Sequence, residues 1–107
     1  MKTNQVYIKI ILDSVGKIEN SIKGVTKEMF MENQEKQSAI ILHLILIGEN
    51  ANKISEDVQS QIDLPWRDII GLRNVAVHEY MNLELNMIWN TVNYNIPELK
   101  KKLLEYK

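Results

Sequence analysis

Apolar positions along this chain recur at intervals of three and four residues, the spacing of one helical face, and nowhere alternate with the period of a strand. Ile8, Ile11, Leu12, Val15, Ile18 and Ile22 predict a first helix from about Asn4 to Ile22, with Lys9, Asp13, Lys17, Glu19 and Asn20 largely on its other side. Gly24 is placed to end it, as glycine commonly does at a helix C-terminus. Thr26 can cap a short second helix, with Val25 before it and Phe30 after it set as a hydrophobic staple. Asn33 can cap the third.

That third helix, about Gln34 to Glu56, carries Ala39-Ile40-Ile41-Leu42-His43-Leu44-Ile45-Leu46-Ile47. Apolar side chains cover all its sides, as in a helix buried all round. A small bundle encloses such a helix with difficulty. Part of its surface is therefore expected to meet another chain, with burial in the bundle core as the alternative. His43, inside the run, reads as a hydrogen-bonded core or interface residue and stays outside the active site. Ser55 to Leu64 reads as a polar connection, and Pro65 suits the first turn of a central helix, where its missing N–H costs nothing. A last helix starts near Asn82, with Leu85, Ile88, Trp89, Val92, Ile96, Leu99 and Leu103 as one stripe. Pro97 should kink it without redirecting it. Lys100, Lys101 and Lys102 suit a solvated last turn. The expected fold is all-α: an up-and-down bundle of four to five helices, in a single domain spanning 1–107.

Composition narrows the function classes. The chain has 45% apolar and 25% charged residues. Those shares are ordinary for a globular domain. A net charge of -1 argues against a broad basic footprint for long nucleic acid, so any such contact must be local. The lack of cysteine excludes disulfides and thiolate zinc sites. The N-terminus lacks a signal peptide's apolar core, and the Ala39–Ile47 run is far shorter than the roughly 20 residues of a membrane span. The expectation is a cytoplasmic protein that does not enter a membrane.

Both arginines of the chain, Arg67 and Arg73, lie in the central helix, and every other cationic side chain of fixed charge is lysine. Arginine offers a planar, permanently charged fork that suits phosphate. At about 100° per residue, Arg67, Gly71, Asn74 and His78 share one narrow arc, and Arg73 and Tyr80 share a second among Ile69, Ala76 and Val77. An arginine on an apolar side must find a partner or reach a polar cleft. These residue types fit phosphate chemistry, with histidine moving a proton and arginine stabilising a charged transition state. Spacing alone also admits plain readings: Arg67 paired with Asp68, Arg73 snorkelling, Asn74 and His78 an ordinary surface pair.

The run Pro65-Trp66-Arg67-Asp68-Ile69-Ile70-Gly71-Leu72-Arg73-Asn74, followed by Val77-His78-Glu79-Tyr80, resembles the signature of the HepT-like branch of the HEPN superfamily, its most specific part being Arg-x4-His-x-Tyr. The likeness runs along the whole chain, through Ile47-Gly48-Glu49 and Ile88-Trp89-Asn90-Thr91. Asn50 departs from it, since alanine often follows the Gly-Glu pair. The resemblance implies a metal-independent endoribonuclease toxin without a cofactor. It implies a homodimer whose paired motif helices form a composite cleft, encoded beside a minimal nucleotidyltransferase (MNT) antitoxin. Arg73 and His78 would be catalytic, with Asn74 the polar residue that follows the arginine and Arg67 a further candidate for phosphate. Tyr80 would receive AMP from the partner. A ribose 2′-hydroxyl would attack the adjacent phosphate, His78 moving the proton and Arg73 stabilising the phosphorane, to leave a cyclic phosphate.

Two other function classes stay open. One is a non-catalytic module that grips a nucleotide or RNA for the nucleotidyltransferase. The other is a structural dimeric bundle. Binding without turnover marks the first, and RNA affinity indifferent to both arginines marks the second.

Overall fold

The computed structural model describes residues 3–76 and 84–106. Helix α1 spans Asn4–Ile22, α2 Lys27–Glu32 and α3 Gln34–Ala51. Two one-turn helices follow, α4 at Glu56–Ser60 and α5 at Trp66–Ile70. Gly71 forms a turn, and residues 72–76 are helical again, as α6. Helix α7 covers Leu85–Asn90, a π-helical turn covers Thr91–Asn95, and α8 covers Ile96–Glu105. Among the described residues there is no strand, and no helix is long and apolar enough to cross a membrane. The fold is an all-α bundle.

Local chemistry sets most of the boundaries. Gly24 adopts φ 74°, a left-handed conformation that side chains resist, and it ends the first helical segment. The Thr26 hydroxyl accepts from the Met29 N–H at 3.1 Å, and the Asn33 side chain accepts from the Lys36 N–H at 3.0 Å. Each satisfies a backbone donor that the helix start leaves without a partner. Buried Gln37 performs the reverse service for α2, donating to the carbonyls of Phe30 and Met31 at 2.8 and 3.1 Å.

Helices α1 and α3 form the central antiparallel pair. At one end Asn4 and Ser55 exchange hydrogen bonds of 3.2 and 2.9 Å, and at the other Lys36 donates to the Ser21 carbonyl at 2.7 Å. Between these ties Ile11, Val15 and Ile18 of α1 are buried with Ile40, Leu44 and Ile47 of α3. Each such burial stabilises the fold by about 1.5–3 kcal/mol relative to an exposed side chain. Phe30 of α2 and Trp89 of α7 close the core from another side, with ring centroids 5.2 Å apart.

Three expectations need correction. Helix α3 ends at Ala51, not near Glu56, because the chain turns there and Ser55 caps a new helix by accepting from the Val58 N–H at 3.4 Å. The polar connection therefore contains α4. It is also well tied: Gln59 donates to the carbonyls of Ala51 and Ile54, and the Trp66 indole N–H lies 2.9 and 3.0 Å from those of Gln59 and Ile62. Lys100 is not simply solvated, since it pairs with Glu19 of α1 at 3.0 Å.

Pro97 supplies no N–H to the preceding turn. The chain answers with the π turn at Thr91–Asn95, where the Ile96 N–H reaches back to the Thr91 carbonyl. The Asn93 side chain donates to the Trp89 carbonyl at 2.8 Å. Ile88, Val92, Ile96, Leu99 and Leu103 stay buried through it, so the apolar stripe keeps its side.

Candidate active site

The site is assembled where α3 meets the segment that begins at Pro65. Trp66 anchors the entry to that segment through its indole, and Ile69 and Ala76 are buried beneath it. The segment packs tightly on α3 at Gly48. A Cβ there would lie 2.7 Å from the Arg73 backbone nitrogen, 3.1 Å from the Ile70 carbonyl oxygen and 3.3 Å from the Arg73 Cβ. Backbone cannot yield as a flexible side chain can, so residue 48 has to be glycine for the two elements to meet this closely.

One residue on, Glu49 forms an ion pair with the Nε of Arg73. Arg73 Nη1 also donates to the Asn74 side-chain oxygen at 3.2 Å. Both partners of the ion pair remain open to solvent, with side-chain exposures of 55% for Arg73 and 42% for Glu49. A pair so exposed contributes about 0–1 kcal/mol to stability. Arg73 thus presents a solvent-reachable cation paired at its Nε, with Nη donors left to take an anion.

Of the residues singled out in the sequence, the structure brings Arg73 and Asn74 together. Their partner Glu49 is not among the sequence candidates, although it sits in the Ile47-Gly48-Glu49 run. The sequence sets Arg73 among apolar neighbours and in need of a partner, whereas the structure leaves its side chain more than half exposed and pairs it with Glu49 of the same chain. Arg67 is exposed. It lines a groove of about 430 Å³ between this segment and α7–α8, together with Gly71, Val75, Met87 and Asn95. His78 and Tyr80 lie outside the described residues.

His43 sits six residues before Glu49 on α3. Its Nδ1 is buried and has no hydrogen-bond partner among the described residues, contrary to the hydrogen-bonded reading of the sequence. Burial, and then the positive charge of Lys17, lower its pKa from the usual histidine range, so the neutral ring is favoured. Asn50, the departure from the family pattern, is buried and donates to the Leu46 carbonyl of its own helix at 2.8 Å. It has no part in the Arg73 contact.

Fold and site together define a small all-α protein that displays an oriented arginine on its motif segment. Comparison with known proteins then gives the family: the model of the family described as "Ribonuclease HepT-like" matches residues 11–105, and the chain belongs to that family. Among its relatives, a protein named "Putative RNase" from Caldanaerobacter subterraneus subsp. tengcongensis is 30% identical over 106 residues, covering 98% of this chain and 95% of that protein. Another "Putative RNase", from Methanocaldococcus jannaschii, is 27% identical over 100 residues, 92% of each chain. A "Probable ribonuclease HepT" from Thermococcus cleftensis is 28% identical over 102 residues, 94% of this chain and 93% of its own. No solved structure matches the chain.

Proposed function

We propose that this protein is a metal-independent endoribonuclease, the toxin of a HEPN/MNT toxin–antitoxin pair. The observation that carries the reading is the Arg73 guanidinium, held by Glu49 and Asn74 in a chain of the HepT-like ribonuclease family. In this mechanism a ribose 2′-hydroxyl attacks its own 3′-phosphate. His78 takes the hydroxyl proton, the O–P bond forms, and Arg73 carries the negative charge gathering on the equatorial oxygens. The 5′-oxygen of the next nucleotide leaves, taking up a proton, and a 2′,3′-cyclic phosphate remains. Since the nucleophile belongs to the substrate, a base and a cation are enough for the chemistry. Asn74 steadies Arg73, and Arg67 adds charge along the path of the RNA backbone.

The active form is a homodimer with a composite cleft. In support, Leu42 and Leu46 of α3 are 53% and 37% exposed. They lie in line with Glu49 at helical spacing, so the apolar face is continuous with the site. Control runs through Tyr80: an MNT partner attaches AMP to its hydroxyl, two residues past His78. The added phosphodiester charge then competes with RNA for Arg73 while the nucleotide blocks the cleft. Mass spectrometry after incubation with the partner and Mg-ATP should show AMP additions that Tyr80→Phe eliminates, and undiminished modification of that variant removes Tyr80 from this role.

The deciding experiment incubates the protein with a mixed-sequence RNA oligonucleotide in EDTA. Fragments should carry 2′,3′-cyclic phosphate ends, and His78→Ala should abolish them without lowering the melting temperature. Binding without cleavage by the parent would instead favour a module that holds RNA for the nucleotidyltransferase.

A further inference from the structure

Helix α3 holds Arg73 twice. Gly48 lets the Arg73 backbone come within a distance that any side chain at 48 would block, and Glu49 takes the Nε of the same residue's side chain. The neighbour Asn74 takes one Nη1 donor. A guanidinium has five N–H donors. With Nε committed to α3, the donors left for a phosphate are those on the Nη atoms, and their direction is set by the carboxylate behind them. Exposed as it is, the ion pair adds little to the stability of the bundle. Its carboxylate also adds a negative charge beside the Arg73 guanidinium, which opposes the approach of an anion.

We propose that Glu49 is the positioning residue of this site, fixing the Nε side of Arg73 so that the Nη side meets the scissile phosphate. It touches no reacting atom and moves no proton. The inference rests on the ribonuclease reading above. Its signature is a divergence of rate and affinity. In Glu49→Gln the guanidinium loses its charged anchor, so kcat falls by about 10- to 100-fold, the order expected when a reacting group is misplaced by around an ångström. Affinity for a non-cleavable 2′-O-methyl RNA holds or rises, because a negative charge beside the phosphate is gone. A shorter carboxylate, in Glu49→Asp, should recover part of the rate.

The chain has only two arginines, so its Nε–H nuclear magnetic resonance spectrum contains two arginine signals, and Arg73→Lys identifies one of them. In the parent the Arg73 Nε–H should be shifted downfield and slow to exchange. It should stay so when the 2′-O-methyl RNA binds, and lose both features in Glu49→Gln. Parental kcat in Glu49→Gln overturns the inference, as does RNA affinity that falls in step with kcat. An Nε–H signal that leaves its shifted position when RNA binds also overturns it. The spectrum and the binding assay do not depend on turnover. A parent that cleaves nothing therefore defeats the ribonuclease reading, while these two arms still decide whether Glu49 orients Arg73.

Discussion

The two sides of α3 are built on different physics. Toward α1, Ile40, Leu44 and Ile47 disappear into the core, and their contribution is additive, non-directional burial. Toward the motif segment, the contact rests on an absent side chain at Gly48 and an exposed ion pair at Glu49, neither of which adds much stability. Leu42 and Leu46, also on this helix, remain exposed in the single chain. One side of the helix holds the domain together, while the other aims a cation. Substitutions on the two sides should therefore separate stability from activity.

The largest effect belongs to the core side. Leu44 is a fully buried side chain. Leu44→Ala should cost about 2–5 kcal/mol in urea unfolding, while the molecules that stay folded keep near-parental cleavage. If Leu44→Ala instead cuts activity with no loss of stability, the division between the sides is wrong. Gly48→Ala should act mainly on activity, with a smaller loss of stability. It forces a Cβ to 2.7 Å from the Arg73 nitrogen. The clash should cost about 1–3 kcal/mol and, by displacing Arg73, lower cleavage by about 100-fold. Parental activity in Gly48→Ala would mean that cleavage does not depend on how α3 holds Arg73. Smallest in stability is the exposed leucine pair. Leu42→Lys with Leu46→Glu should leave the stability of the individual chain, taken apart from dimer dissociation, within about 0.5 kcal/mol per site. Light scattering should nevertheless fall from twice the chain mass of 12.5 kDa to that of a monomer. A parent that is already monomeric at micromolar concentration removes the composite cleft.

Much of the core side is legible in the chain because it depends on local signals. The bounds of α1, the glycine after it, and the caps at Thr26 and Asn33 all follow from spacing and side-chain chemistry within a few residues. The end of α3 is not legible. Ala51 and buried Ile54 continue the apolar spacing beyond Ile47, and no proline interrupts it, so periodicity runs on through a turn. Helix α4 is too short to show a period; its signal is Ser55 followed by Glu56 and Asp57, a cap with acids in the first turn. The loss of a hydrogen bond at Pro97 is evident from the sequence, but the π turn that absorbs it is not.

The site is half legible. Arg73 and Asn74 stand out by residue type and motif, and the structure places them together. Glu49 stands twenty-four positions before Arg73 on another helix, so no helical spacing relates the two. Its traces are a carboxylate directly after Gly48, at the end of the longest apolar run, and its place in the Ile47-Gly48-Glu49 likeness, neither of which names Arg73 as its partner. An ion pair between helices is a product of their packing, and packing is what the sequence expresses least directly.

The proposed role of Arg73, a catalytic cation aimed by α3, is open to direct test in Arg73→Lys. Lysine keeps the charge but has a single head, which cannot serve Glu49 and a phosphate with the geometry of the guanidinium fork. With initial rates measured in EDTA on one RNA oligonucleotide, Arg73→Lys should cleave about 100-fold more slowly than the parent, or slower still. Its melting temperature should be unchanged, because the pair it disrupts is exposed. Cleavage by Arg73→Lys at the parental rate would exclude that role.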